Sequence, residues 1–285
     1  MTWSFKKFDV LPESKFLLWE KLLEARTGIQ LASQQKVLLQ TQIAIRMREL
    51  SIASYDDYFS QVKQDNKSGL VEWQVLVDRL VVKETTFFRH RPSLDFVRQY
   101  LKNQVVQNRL GGSIDMWSVG CSTGEEPYGL AMLAHQCLSE SDQHIYFGVT
   151  AVDVSLPALS IARRGVYGER SMSFLTDTER QNFFRPYDEK NDEVLPRLKK
   201  RVCFSQANIN NLDDLPVQLM DVIFCQNVLI YFRRWRRKEI LNQLVKRLKP
   251  RGLLVIGLGE TTDWWHAKMK KVDSNEVQAY IKIAQ

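Results

Sequence analysis

A short apolar run that ends in glycine and turns into an acidic helix start constrains this chain more than any other stretch. Residues 114–119, Ile-Asp-Met-Trp-Ser-Val, read as a buried strand. They run into Gly120-Cys121-Ser122-Thr123-Gly124-Glu125-Glu126 and then Pro127. Proline is favoured in a first helical turn, so a helix begins here and continues to Gln136. The unit then recurs. Residues 145–152 form a second strand closed by Asp153, and a helix follows over 156–162. Short strands are expected at 202–205 and 221–225. Ile240, Leu241, Leu244, Val245 and Leu248 recur at helical spacing. Lys249-Pro250-Arg251-Gly252 reads as a turn, and 253–256 as another strand. Strands alternating with helices predict an α/β protein with a mainly parallel, doubly wound, Rossmann-like sheet. Such sheets bind ligands in the crevice beyond the strands' carboxyl ends.

The first 75 residues have a different pattern. Phe16, Leu17, Trp19, Leu22 and Leu23 recur at helical spacing before Gly28. Val37, Leu38, Ile43, Ile45 and Leu50 make a second amphipathic run, and Tyr55, Tyr58, Phe59 and Val62 a third. Asp65 to Gly69 is a polar break. A length of 285 residues suits roughly two domains. The expected division is a helical domain over 1–75 and a sheet domain over 76–285. Phe183 to Lys200 interrupts the alternation with turn residues, so a small inserted hairpin is expected at about 185–202.

Charge and cysteine use narrow the setting. Forty Lys and Arg against 33 Asp and Glu give a net charge of +7, which suits an acidic partner. The four cysteines, Cys121, Cys137, Cys203 and Cys225, are widely spaced, which suits a reducing compartment and buried thiols. The four histidines are scattered, so no metal cluster is expected. Residues 1–9 lack the apolar run of a signal peptide, and no stretch is apolar for 18 residues. A cytoplasmic protein is the expectation.

The glycine loop sits where a nucleotide-binding sheet holds its ligand. Its glycines are Gly120 and Gly124, not Gly-x-Gly-x-x-Gly, and Glu125 and Glu126 would repel a pyrophosphate. They suit a phosphate-free ligand with a positive end, as S-adenosylmethionine is. On the glycines alone an ordinary strand–helix turn serves equally well. Asp153 at a strand end can accept from ribose hydroxyls or cap the next helix. Asn208 and Asn227 follow two further strands, where loop residues face the crevice; turns also favour Asn.

Four stretches together carry a resemblance: VKETTFFRHRPSLDFV (82–97), SVGCSTGEEPYGLAM (118–132), VTAVDVSLPALSIARRGVY (149–167) and FCQNVLIYF (224–232). In order and spacing the chain resembles chemotaxis receptor methyltransferases of the CheR type over nearly its whole length. That resemblance implies a small N-terminal all-helical domain and an S-adenosylmethionine methyltransferase sheet with a short inserted β-subdomain. It implies S-adenosylmethionine as methyl donor, S-adenosylhomocysteine as product, and glutamates on the cytoplasmic helices of chemoreceptors as acceptors. By motif, Lys83, Thr85, Arg89, Gly120, Gly124, Glu126, Asp153, Asn208, Ile209, Asn227 and Val228 would bind the cofactor. Arg89 and Tyr231 would act at the transferred methyl. Chemotaxis and pilus-linked systems both use such enzymes, and a monomer is the family expectation. Lys83 stands where Asn is usual, and Gly257-Leu258-Gly259-Glu260 replaces a common Gly-His-Ser-Glu. Lys36, Arg46 and Arg48 would face the receptor by the same analogy.

Two other readings fit parts of the chain. A nucleic-acid methyltransferase would use the basic runs 233–238 and 246–249, which equally make a solvated helix face. Base methylation sites usually carry an Asn/Asp-Pro-Pro-aromatic run, and Asn227-Val228-Leu229-Ile230 lacks the prolines. A non-catalytic module that binds the cofactor and docks on receptors is the third.

Overall fold

The computed structural model describes residues 10–31, 35–81, 84–107, 112–139 and 145–284. The chain divides into two compact units, Met1–Val82 and Lys83–Gln285. A division at 75/76 would cut a helix.

Among the described residues the first unit holds four α-helices: α1 (Glu13–Thr27), α2 (Lys36–Glu49), α3 (Tyr55–Lys63) and α4 (Lys67–Leu80). Leu39, Ile43 and Met47 are buried on α2, one turn apart, so they share one face. Val37 and Leu38, expected on that face, lie outside this i, i+4 row and are exposed. Leu17 is likewise exposed while Phe16, Trp19 and Leu23 are buried. The polar break at 65–69 is a cap: the Asn66 side chain accepts the Gly69 N–H at 2.9 Å and starts α4. Glu72 is buried, and the Arg46 guanidinium grips its carboxylate at 2.8 and 2.7 Å while the Tyr58 hydroxyl donates at 2.7 Å. Lys36 pairs with Glu13. Lys36 and Arg46, both expected to face a partner, are thus engaged within the unit.

The second unit opens with α5 (Arg91–Val106), then β1 (Ser113–Val119), α6 (Glu125–Ser139), β2 (Tyr146–Asp153) and α7 (Leu156–Arg164). Next come β3 (Val166–Gly168), α8 (Glu169–Met172), α9 (Asp177–Phe183), β4 (Phe184–Pro186), β5 (Asn191–Val194), α10 (Pro196–Lys199) and β6 (Val202–Gln206). β7 (Met220–Cys225), α11 (Arg234–Lys246), β8 (Leu248–Ile256), β9 (Met269–Lys271) and β10 (Gln278–Lys282) complete it. The main sheet has the order β6-β2-β1-β7-β8-β10-β9. β6, β2, β1, β7 and β8 are parallel; β10 is antiparallel to β8, and β9 to β10.

Side chains alternate across the sheet. Met116, Val149, Val222, Phe224, Leu253 and Val255 pack in one core with Val97 and Leu101 of α5 and Leu130 to Ala134 of α6. Ala151 of β2, two residues on from Val149 and in register beside Ser118, lies on that same face and meets Leu159 of α7 and Cys121 in a second cluster. The expected turn at 249–252 is a bulge inside β8: pairing jumps from Met220↔Leu248 to Val222↔Leu253. Lys249 there bonds Asp115 at 3.0 Å and Asp221 at 2.7 Å, and Arg247 is buried with its guanidinium on the Leu215 carbonyl. The 246–249 run is therefore not a solvated face.

The interruption in the alternation is a three-stranded antiparallel sheet, β3-β5-β4. Its first strand comes from 166–168, upstream of the expected 185. Cys121, Cys137 and Cys225 are buried; Cys203 is exposed, because it faces outward on edge strand β6. Among the described residues no helix is long and apolar enough to cross a membrane.

Candidate active site

Chain order reverses between β1 and β7. Strands numbered 2 and 6 lie to one side of β1, and strand 8 lies beyond β7. A crevice opens at such a switch point, beyond the carboxyl ends of the strands. The loop after β1 and the loop after β7 meet there.

Gly120 makes that meeting possible. It adopts φ +76°, and its N–H is held by the Val152 carbonyl at 2.8 Å. A Cβ at this position would lie 2.4 Å from Val228 Cγ2. Gly124 has φ +98°, and a Cβ there would meet Ala162 Cβ at 2.7 Å and the Tyr167 hydroxyl at 2.9 Å. That hydroxyl donates to the Thr123 carbonyl at 2.7 Å, so the small sheet steadies the glycine loop. Ser122, Asn227 and Phe88 are non-glycine residues with positive φ of 49°, 59° and 53°. Such backbones are uncommon and gather at binding loops.

Carboxylates surround the crevice. Glu126 in the first turn of α6 is part-buried and accepts from Ser118 Oγ at 2.7 Å. Burial pushes its carboxyl up to about 8, Glu260 adds to the rise, and Arg89 opposes it. Glu125 is buried between the Thr123 and Ser171 hydroxyls at 2.7 and 3.0 Å, and burial raises its carboxyl too. Asp153 accepts the Ser122 N–H on Oδ2 at 2.8 Å and the Ser155 N–H on Oδ1 at 2.9 Å. The α7 cap is Ser155, whose Oγ accepts from Ala158 N–H, so Asp153 is not spent as that cap. Burial raises the Cys121 thiol, and the charges of Asp153 and Glu126 raise it further.

The other expected residues lie around this rim. Asn208 and Ile209 follow β6 at its junction with β2, where Ala207 N–H bonds the Asp153 carbonyl at 3.0 Å; Ile209 is buried. Asn227 is exposed and Val228 half-buried. The Tyr231 N–H bonds the Val228 carbonyl at 3.2 Å, and burial pushes its phenol up while the nearby Arg89 charge opposes the shift. Arg89 is exposed, with Nη1 on the Glu84 carbonyl at 3.0 Å. Thr85 is half-buried in the same loop. Lys83 lies outside the described residues.

The motif reading missed several groups here. Gln226 is buried and ties Ser93 Oγ at 2.8 Å to the Ile256 carbonyl at 3.2 Å. Glu260 is 2% exposed, and its charge reaches Glu126, Tyr231 and Cys225. The signal in the sequence was its place just past a strand's carboxyl end, in the Gly257-Leu258-Gly259-Glu260 stretch that keeps the final Glu of the family's motif. The basic run at 233–238 is largely engaged: Arg236 pairs with Glu239, Lys238 with Asp263, and Arg237 turns inward.

The CheR methyltransferase SAM binding domain model matches residues 83–278, and the CheR methyltransferase all-alpha domain model matches residues 14–81. The chain is 29% identical over 260 residues to the chemotaxis protein methyltransferase of Escherichia coli, covering 88% of this chain and 85% of that one. It is 30% identical over 237 residues to chemotaxis protein methyltransferase 2 of Pseudomonas aeruginosa, covering 82% and 81%. With the chemotaxis protein methyltransferase of Borreliella burgdorferi it shares 27% identity over 244 residues, covering 85% and 86%.

Proposed function

The chain belongs to the CheR methyltransferase family, and from that membership we propose that it methylates glutamate side chains on the cytoplasmic helices of chemoreceptors. Its relatives are named chemotaxis protein methyltransferases, which supports S-adenosylmethionine-dependent methylation in chemotaxis. The glutamate acceptor is our reading of the site.

The observation that carries the reading is the charge around the crevice. Glu125, Glu126, Asp153 and Glu260 surround it, with Arg89 as the opposing cation in the same field. An anionic dinucleotide would be repelled; a ligand with a sulfonium and an amino group is drawn in. The residues fit such a group. Gly120 leaves no space for a Cβ beside Val228, so the two loops close on each other, and Asp153 is fixed by two backbone N–H groups. Thr85, Glu126, Asp153, Asn208, Ile209, Asn227 and Val228 would hold the cofactor, with Gly120 and Gly124 shaping the loop. Lys83 is retained from the motif.

When bound, S-adenosylmethionine supplies a methyl on positively charged sulfur, which a carboxylate oxygen takes in line while the S–C electron pair stays on sulfur. A glutamate side chain has a reference pKa of about 4.3 and is ionised at neutral pH, so it attacks without a general base. Arg89 at the mouth meets the incoming carboxylate. Tyr231, its phenol raised by burial, stays neutral and offers its O–H near the methyl. Positioning supplies most of the rate. The acceptor's charge vanishes during transfer, so gripping it too tightly would oppose the reaction.

The test uses methyl-labelled S-adenosylmethionine with a receptor cytoplasmic domain, followed by alkali. Volatile labelled methanol is expected, and Arg89→Ala should abolish it. Label that survives alkali overturns the glutamate ester. Cofactor binding with no transfer overturns the enzyme reading in favour of a docking module.

A further inference from the structure

One arginine outside the expected site holds both loops that flank the methyl end. Arg237 lies in the first turns of α11, and its guanidinium points back over the sheet's carboxyl edge. Nε donates to the Phe232 carbonyl at 2.8 Å, Nη2 to the Ile230 carbonyl at 3.3 Å and Nη1 to the Glu260 carbonyl at 2.8 Å. Ile230 and Phe232 are the two neighbours of Tyr231. The third carbonyl belongs to the loop after β8.

Glu260 closes the same junction from below. Its Oε2 accepts the Gly257 N–H at 2.7 Å. A Cβ on Gly257 would lie 2.7 Å from that oxygen, so only glycine lets the carboxyl sit there. The backbone amides of Val228, Leu229 and Ile230 face the carboxyl and favour its charge, while burial raises its proton affinity more. Oε1 is buried without a hydrogen-bond partner among the described residues.

We propose that Arg237 and Glu260 are positioning residues for methyl transfer, clasping the Val228–Phe232 turn so that Tyr231 is fixed over the methyl end of the crevice. The proposal rests on the transfer reaction above. A planar fork reaches three carbonyls at once from one rigid group, which a lysine ammonium on a flexible stem cannot reproduce. The bonds to Phe232 and Glu260, both 2.8 Å, are in the charge-assisted range and hold the turn, and the longer one to Ile230 completes the fork. A misplacement of about 1 Å at a reacting group costs roughly a hundredfold in rate.

Wild type, Arg237→Lys, Arg237→Ala, Glu260→Gln, Tyr231→Phe and the Arg237→Lys/Tyr231→Phe double variant would be compared. The readouts are kcat and KM for transfer, S-adenosylhomocysteine affinity by calorimetry, and melting temperature. We expect Arg237→Lys to lower kcat about tenfold or more with cofactor affinity within about threefold. We also expect its effect to shrink markedly in the Tyr231→Phe background, since both act through one group. Glu260→Gln keeps the shape of the side chain and should show a smaller loss of kcat in the same direction. Wild-type kcat in Arg237→Lys, or an effect that simply adds to Tyr231→Phe, overturns the clasp. If Arg237→Ala fails to fold, the lysine variant still decides. A wild-type protein that binds cofactor but never transfers methyl instead overturns the proposed reaction.

Discussion

Glu126 is held in a state opposed to its expected work. A carboxyl that meets a cation should be ionised, yet burial pushes this one up to about 8. The unfolded chain releases the proton near the ordinary carboxylate value, and the folded chain releases it only around 8. Between those limits the native state carries a proton that the unfolded state lacks. Stability from this group is therefore fully present at low pH, falls as pH rises through that window, and is lost above 8. Because Glu126 is partly solvent-exposed, about 2 kcal/mol is a fair size for the loss, well under the direct conversion at 1.36 kcal/mol per unit. Glu126→Gln should then melt roughly 4–8 °C higher than wild type at pH 8.5 and nearly equal to it at pH 5. Scanning calorimetry at the two values checks this; a constant difference would mean the effect is packing, not the proton. The same carboxyl should lose its proton when S-adenosylmethionine binds. Calorimetry in two buffers of different ionisation enthalpy at pH 7 should show proton release in wild type and none in Glu126→Gln.

At the scale of elements, the glycine loop carries the strongest constraint. Gly120→Ala strains a positive φ and brings a Cβ within 2.4 Å of Val228 Cγ2, so the loops after β1 and β7 must part. Gly112 has φ +88° with nothing within 4 Å of a built Cβ, so Gly112→Ala meets only the backbone cost of about 1 kcal/mol. Both variants should destabilise, but only Gly120→Ala should weaken S-adenosylhomocysteine binding, by about tenfold or more. Equal affinities in the two would detach the loop closure from the ligand. This part of the fold was legible in the sequence because strand, glycine turn and helix each have a local signature. β9 and β10 had none: Lys268, Lys270, Lys271 and Lys282 break any apolar run there, and antiparallel pairing of β10 to β8 and of β9 to β10 fixes them. The row Leu39, Ile43 and Met47 was misread because Val37 and Leu38 are as apolar as Leu39, and tertiary packing alone chooses the buried face. Arg237 stayed hidden for a related reason. Within its basic run Arg237 looks like its neighbours, and only the approach of two distant loops gives it three carbonyls.

For the whole molecule, charge is unevenly shared between the two units. Residues 1–82 hold 11 Lys and Arg against 10 Asp and Glu, so nearly all of the net +7 belongs to residues 83–285. Several cations are consumed internally, as Arg46 of α2 is by Glu72 and Lys249 of β8 by Asp115 and Asp221. On the proposed reading, the surplus that remains would act at a distance on an acidic acceptor. Exposed charges are screened beyond about 10 Å at 0.1 M salt, so such a field is a feature of low and moderate ionic strength. Steering of this kind raises the encounter rate more than the strength of the final complex. The proposed cofactor site would behave differently, since its carboxylates are buried or part-buried and less open to screening. Raising salt from about 50 to 300 mM should therefore lower kcat/KM for the receptor domain roughly three- to tenfold, while S-adenosylhomocysteine affinity changes less than about twofold. A receptor kcat/KM indifferent to salt would assign docking to the exposed apolar side chains at the crevice rim, Ile230 and Leu258, in place of charge. A cofactor affinity that fell in parallel would mean that the carboxylates lining the crevice are open to bulk ions, and the burial that raises Glu126 would no longer explain its proton.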